Sequence, residues 1–184
     1  EFKLLIVEEK VFTEINSFKP AKELTGFLND SDISIVLTTS GTTGDAKFLP
    51  LTANQLWAAS TRPGTNDSFG AFEVLNLLPF GSAWSTFHAL KCLFLGKSYF
   101  GFTYRDKRLL KVISNYPIRT IIGSPVQIKT LIDAMTEMNI SLPNVESILI
   151  GGSSPSKRLI MEIKSKINCK IYNTYGSTEA GHIA

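Results

Sequence analysis

The chain has 184 residues, 43% apolar and 19% charged, a globular composition that excludes intrinsic disorder, collagen, coiled coil and low complexity. Net charge is +3, and the basic side chains stand singly or in small groups (Arg105, Lys107 and Arg108; Lys157 and Arg158; Lys164; Lys166) without aromatic interleaving. That reads as solvated helix faces, not as a nucleic-acid track.

No apolar run reaches the roughly 18 residues that a membrane span needs. Glu1–Val7 lacks the basic region and long apolar stretch of a signal peptide. Two cysteines, Cys92 and Cys169, are too few for a disulfide framework or a structural zinc site. They read as small core residues, and the expected setting is cytoplasmic.

In chain order, residues 1–32 form a lead-in, with a strand at Leu4–Val7 and a short helix near Ala21–Leu28. From Ile33 the pattern changes to short β-branched runs alternating with amphipathic segments. Ile33–Thr39 is the first strand of this core. Its end overlaps Thr38-Thr39-Ser40-Gly41-Thr42-Thr43-Gly44-Asp45-Ala46-Lys47. Glycines let backbone N–H groups approach phosphate oxygens, hydroxyls donate further hydrogen bonds, and Lys47 adds a positive charge. Gly44 is not followed by Lys-Ser or Lys-Thr, so this is not a Walker A loop. An ordinary polar hairpin turn has the same composition, and that alternative stays open.

Thr52 is placed to cap a helix running to about Thr61, and Thr61–Gly70 reads as an exposed loop. Val74–Leu78 is a strand, followed by Pro79 and Phe80 and then a helical stretch carrying Trp84 and His88. A base role for His88 is imaginable, but it reads as packed or at the surface, and His182 has no partner in view. Strands follow at Lys97–Phe100 and Ile118–Ile122. Ser124-Pro125 supplies a cap and a first-turn proline for a helix that turns Ile128, Leu131, Ile132 and Met135 inward.

Val145–Ile150 is the next strand. Ser154-Pro155 gives the same capping signal, for a helix with Leu159, Ile160, Ile163 and Ile167 on one face. Lys170–Tyr172 is the last strand. It leads into Tyr172-Asn173-Thr174-Tyr175-Gly176-Ser177-Thr178-Glu179, where a flat ring suits a base, Thr178 suits a phosphate and Glu179 suits Mg²⁺. A capped strand end is the plain alternative here. The alternation predicts an α/β fold with a largely parallel sheet flanked by helices, and ligands at the carboxyl ends of its strands.

At these residues the chain resembles the adenylate-forming superfamily: acyl-CoA synthetases, adenylation domains of peptide synthetases, and luciferases. Thr39 to Lys47 match that family's phosphate loop, except that Ala46 replaces a proline and Phe48 its final glycine. Tyr175 to Glu179 match its Tyr-Gly-x-Thr-Glu motif in full. Leu78-Pro79-Phe80, Gly123-Ser124-Pro125 and Ile150–Pro155 resemble three further landmarks, in the family's order.

The resemblance implies roles. Thr39, Ser40, Gly41, Thr42, Thr43, Gly44 and Lys47 would hold the β- and γ-phosphates of ATP. Gly152, Ser153 and Ser154 would pack one side of adenine and Tyr175 the other, with Gly176 in the same motif and Asn173 near the amino group. Thr178 would touch the α-phosphate and Glu179 would bind Mg²⁺. Phe80, Trp84 and Gly123 would border the acid. Lys47, Thr178 and Glu179 would carry the catalysis.

The implied reaction activates a carboxylic acid as acyl-AMP and then transfers it to a thiol, of CoA or of an acyl-carrier protein. Phe80–Trp84 holds no acidic residue to pair with an amine, so a fatty or aryl acid is the expected substrate. The family's ribose aspartate, hinge and C-terminal lid domain would lie beyond Ala184. The expectation is therefore a nucleotide-binding core, residues 33–184, that turns over little alone. Ala46 and Phe48 favour a competing reading, a non-catalytic docking module; Lys47, Thr178 and Glu179 favour the ligase.

Overall fold

The structure is a computed structural model that describes residues 33–39, 47–52, 54, 55, 58, 73–79, 81–101, 110, 111, 113–177, 181 and 182. The expected lead-in elements and the 61–70 loop lie outside these residues.

Five parallel strands make the central sheet. In chain order they are β3 (Glu73–Asn76), β4 (Ser98–Gly101), β5 (Thr120–Gly123), β6 (Ser147–Ile150) and β7 (Lys170–Asn173). Their spatial order is β4-β3-β5-β6-β7. All four pairings are parallel, so each crosses over through a helix or long connection. The order reverses between β3 and β5. That is the topological switch point, where the carboxyl ends of open sheets take ligands.

Side chains alternate across the sheet and build two cores. Leu75, Phe100, Ile121, Ile148 and Ile150 face helices α2 (Pro125–Glu137) and α3 (Lys157–Lys166), where Ile128, Leu131, Ile132, Met135, Leu159 and Ile163 close the layer. Val74, Tyr99, Ile122 and Leu149 face α1 (Ala83–Phe94), with Cys92 buried and Trp84 and Ala89 against them. The result is a three-layer α/β/α core.

Local chemistry sets the helix ends. Ser124 Oγ accepts from the Gln127 N–H while Gln127 Oε1 accepts from the Ser124 N–H, a complete capping box with Pro125 in the first turn. Asn139, at φ 51°, ends α2: its N–H reaches Thr136 O and that of Ile140 reaches Met135 O. Gly96 does the same for α1 at φ +63°, with Lys97 N–H donating to Cys92 O at 2.8 Å. Both are Schellman closures, which need a residue tolerant of the left-handed region.

Three sequence expectations shift. The third helix is capped by Ser156, not Ser154: Ser156 Oγ accepts from the Leu159 N–H, and α3 begins at Lys157. Ser154 and Pro155 belong to the loop before it. Lys97 falls in the Schellman turn and not in β4, and Leu78 lies beyond β3, where the chain turns away.

The first core strand, β1 (Ile33–Thr39), keeps its expected bounds. It does not join the parallel sheet: it pairs antiparallel with β2 (Lys47–Thr52), which the sequence reading missed. Thr52 does act as a cap, exchanging two hydrogen bonds with Gln55, while the stretch to Thr61 lies mostly outside the described residues. A short antiparallel pair, β8 (Gly176–Ser177) and β9 (Gly181–His182), closes the described chain.

Candidate functional site

The carboxyl edge of the sheet gathers the motifs expected from sequence to meet the acid and the adenine. The ladder runs on past the strand ends: Leu77 N–H donates to Ile122 O at 2.8 Å, Gly151 N–H to Gly123 O at 3.2 Å, and Thr174 N–H to Ile150 O at 2.7 Å. Leu77, Gly123, Gly151 and Thr174 therefore stand in a row across four adjacent strand ends. The segments after them are Leu78–Ser82, Ser124, Gly152–Ser154 and Tyr175.

The adenine-side residues are open to solvent. Gly152 (φ +82°), Ser153, Ser154, Asn173 and Gly176 are exposed, and the Tyr175 ring is 68% exposed. Asn173 pairs in register with Ile150, so the Gly152 loop and Tyr175 leave neighbouring strands. Two exposed segments on neighbouring strands, one of them carrying a tyrosine, suit a flat base.

On the acid side, Trp84 sits in the first turn of α1 and reaches back to the sheet edge. A β-carbon at position 151 would lie 2.6 Å from Trp84 Cη2, 2.7 Å from Trp84 Cζ3 and 2.7 Å from Thr174 Oγ1. Gly151 is thus the gap into which the indole tip fits, a contact the sequence did not reveal. His88 lies one turn on, its ring 5.9 Å from that of Trp84 in an edge arrangement. Gly123 is buried under Leu77 and Ile128, so it floors the switch point and carries no side chain into it. Phe80 lies outside the described residues.

The hydroxyl-rich stretch connects β1 to β2, which pair antiparallel, a connection common to a phosphate loop and an ordinary turn. Thr39 and Lys47 face each other across its base in the ladder; Ser40, Gly41, Thr42, Thr43 and Gly44 lie outside the described residues. Phe48 pairs with Thr38 inside β2, where an aromatic suits a strand better than glycine does. Helix α1 lies beside β1, which brings this hairpin to the helix that carries Trp84. Thr178 and Glu179 fall between β8 and β9, outside the described residues.

A buried polar network missed by the sequence reading underlies the acid side. Asn76, 1% exposed, donates from Nδ2 to Leu78 O at 2.9 Å and to Ser85 Oγ at 3.0 Å. Ser85 Oγ lies 2.9 Å from Tyr99 Oη, which also donates to Ser85 O at 3.2 Å. The signal was present as the one amide inside the apolar run Val74–Leu78. Burial pushes the Tyr99 phenol up to about 12, although its bond with Ser85 pulls the other way, so Tyr99 stays a donor at neutral pH.

Burial likewise holds the Cys92 thiol up at about 12 and that of Cys169 at about 11. Neither is a nucleophile at neutral pH. A groove of about 590 Å³ lined by Glu73, Arg119, Asn144, Glu146 and Asn168 opens at the opposite, amino edge of the sheet, away from every motif above. Its Arg119 guanidinium is paired with Glu146, and that hydrogen bond raises the Arg119 pKa. Among the described residues no cluster of three or more His, Cys, Asp or Glu could hold a metal, and no helix is long and apolar enough to cross a membrane.

Known proteins are similar in sequence and fold. Residues 5–184 match the AMP-binding enzyme family. The chain is 31% identical over 175 residues to a 2-succinylbenzoate–CoA ligase of Staphylococcus aureus (91% of this chain, 34% of that protein). It is 28% identical over 166 residues to the putative acyl–CoA ligase YdaB of Bacillus subtilis (87% and 32%). It spans about a third of the length of these relatives. The fold superposes on O-succinylbenzoate coenzyme A synthetase (MenE) of Bacillus subtilis. The TM-score is 0.64 for its complex with AMP (22% identity, 78% of this chain and 30% of that one) and 0.63 for its complex with ATP and magnesium ion (21%, 78% and 30%). With its family model matched along nearly its whole length, the chain belongs to the AMP-binding enzyme family, the adenylate-forming superfamily that its sequence resembles.

Proposed function

We propose that these residues form the nucleotide and acid core of an acid–thiol ligase, which joins a carboxylic acid to AMP and then passes the acyl group to CoA. The observation that carries this reading is the single carboxyl edge, where Trp84 and Gly123 stand beside Gly152–Ser154 and Tyr175. The family and the two CoA-ligase relatives support it. An aryl acid is the favoured substrate class, in line with the 2-succinylbenzoate ligases; an acyl-carrier protein is the less favoured acceptor.

In this reading Tyr175 and the Gly152–Ser154 loop hold adenine between them, with Asn173 near its amino group and Gly176 giving backbone access. Thr178 binds the α-phosphate. Thr39, Ser40, Thr42, Thr43 and Lys47, with the backbone of Gly41 and Gly44, hold the β- and γ-phosphates. Phe80, Trp84 and Gly123 border the acid. A carboxylate oxygen attacks the α-phosphorus, the bond from that phosphorus to the bridging oxygen breaks, and pyrophosphate leaves with the electron pair. No proton has to move.

The chain's own contribution is alignment and fixed positive charge where the transition state becomes more negative. Mg²⁺ suits the donor set, because it is commonly held by one or two carboxylates together with phosphate oxygens and water. Glu179 is the carboxylate assigned here, and the ion would supply charge neutralisation on the phosphates.

The test is carboxylate-dependent ATP–pyrophosphate exchange in the longest natural chain containing these residues, with 2-succinylbenzoate, benzoate and octanoate. Lys47→Ala is expected to lower exchange by about 10²–10³-fold, as for loss of one charge-stabilising donor. The 184 residues alone are expected to bind nucleotide with little turnover. A folded parent that exchanges with no acid would instead support the docking-module reading that Ala46 and Phe48 raised.

A further inference from the structure

The network of Asn76, Ser85 and Tyr99 touches no predicted ligand, yet it lies directly beneath the acid-side segment. Its hydrogens have one consistent placement. Asn76 Nδ2 donates to Ser85 Oγ and to Leu78 O, Ser85 Oγ donates to Tyr99 Oη, and Tyr99 Oη donates to Ser85 O. Three elements meet in it: the end of β3, the first turn of α1 and the start of β4. Ser85 is 0% exposed and Tyr99 5%.

What the network holds is the turn Leu77–Ser82. That turn is tied at Leu77 to β5, at Ser82 N–H to Pro79 O (3.2 Å), and at Leu78 O to the Asn76 carboxamide. Ser82 Oγ in turn caps α1 at the Ser85 N–H. Trp84 lies between Ser82 and Ser85, so one amide sets both the turn and the entry of the indole into the Gly151 gap.

A stability role alone explains this poorly. Apolar groups of the same shape can replace a buried hydrogen-bonded pair at little cost or even with a gain. Asn76 Oδ1 is moreover buried with no hydrogen-bond partner, which costs stability. Satisfied networks do fix one geometry among several that an apolar core would allow.

We propose that Asn76 is a positioning residue for acid recognition, acting through Leu78 O and Ser85 on the turn that borders the acid. This rests on the ligase reading above. It goes beyond that reading in assigning a role to a residue that meets neither nucleotide nor acid.

The test uses Asn76→Leu, which is close in size, together with Ser85→Ala and Tyr99→Phe, in the longest natural chain containing these residues. In ATP–pyrophosphate exchange with 2-succinylbenzoate, benzoate and octanoate, Asn76→Leu and Ser85→Ala are expected to raise the KM of the accepted acid about tenfold. The KM of ATP should stay within about twofold. Tyr99→Phe, at the far end of the network, is expected to raise the acid KM only about twofold.

Hydrogen exchange read by mass spectrometry supplies an arm that needs no activity. Peptides covering residues 77–86 should exchange several-fold faster in Asn76→Leu, with β5, β6 and β7 unchanged. Equal rises in both KM values, or an unchanged acid KM with a lowered melting temperature, would overturn the proposal. If the parent exchanges with no acid, the ligase reading falls; the positioning claim is then decided by hydrogen exchange, and unchanged exchange at 77–86 rejects it. Should Asn76→Leu fail to fold, Ser85→Ala carries both arms.

Discussion

At position 151 a side chain would have to displace either a tryptophan ring or a hydroxyl already committed to Ile150 O. The indole is partly buried against Val74, Tyr99, Ile122 and Leu149, so the cost of Gly151→Ala is one of overpacking, about 1–3 kcal/mol. Urea unfolding should show that loss, with a shift in Trp84 emission. In a Trp84→Leu background the ring is gone and only the Thr174 contact remains, so the same substitution should cost clearly less. An equal cost in both backgrounds would mean that the indole is not what fills the gap.

Burial raises the pKa of three groups that are neutral when protonated, while it lowers that of Lys91. Cys92, Tyr99 and Cys169 all have folded pKa values raised from ordinary values of 9.0, 10.0 and 9.0 to about 12, 12 and 11, with burial as the first cause. Each is neutral when protonated, so the folded state holds its proton more tightly than the unfolded chain does. Their contribution is full below pH 9 and is lost as pH rises from 9 through 12. Unfolding free energy should therefore decline from pH 9 upward, and Cys92→Ala should flatten that decline. Cys92 should also react slowly with thiol reagents at pH 8 in the native state.

Among the elements, the helix caps give the sharpest test. Ser124→Ala breaks a reciprocal pair of hydrogen bonds, and Ser156→Ala removes the acceptor for the Leu159 N–H. Each should cost about 1 kcal/mol. Ser154→Ala should stay within about 0.5 kcal/mol, as for an exposed loop position. A larger loss at 154 than at 156 would return the cap to the place that the Ser-Pro pattern suggested.

That pattern shows where sequence reading succeeds. Helix faces and strand centres are local periodicities, so Ile128, Leu131, Ile132 and Met135 could be turned inward from sequence alone. Two serines near one proline offer two caps, and only the backbone geometry at Ser156 decides between them. Strand β2 escaped because Lys47–Thr52 contains Pro50 and no clean alternation; its pairing with β1 makes it a strand. The Asn76 network escaped for a similar reason: Ser85 lies nine residues from Asn76, and Tyr99 fourteen beyond that, so no short spacing marks them as neighbours. The family motifs were legible because each is a short contiguous string, whereas the edge shared by Leu78, Gly123, Gly152 and Tyr175 depends on the strand order β4-β3-β5-β6-β7.

For the whole molecule the question is whether the edge loops bind nucleotide as a unit. A ligand that binds only the folded state stabilises it by RT ln(1 + [L]/Kd), about 2.7 kcal/mol at a hundred times Kd. Mg-ATP should therefore raise the unfolding midpoint of this chain in a concentration-dependent way, with or without turnover. On the proposed roles, Lys47→Ala and Glu179→Ala should each reduce the shift, the first by removing a positive charge from the phosphates and the second by removing the carboxylate assigned to Mg²⁺. Tyr175→Ala should reduce it for AMP as well as for ATP, since the proposed role sets the ring against the adenine that both share. Lys47→Ala should leave the AMP shift intact, because AMP carries neither the β- nor the γ-phosphate. Loss of the AMP shift in Lys47→Ala would place that lysine elsewhere in the site. The same experiment thus separates the contribution of the hairpin from that of the strand-end loops.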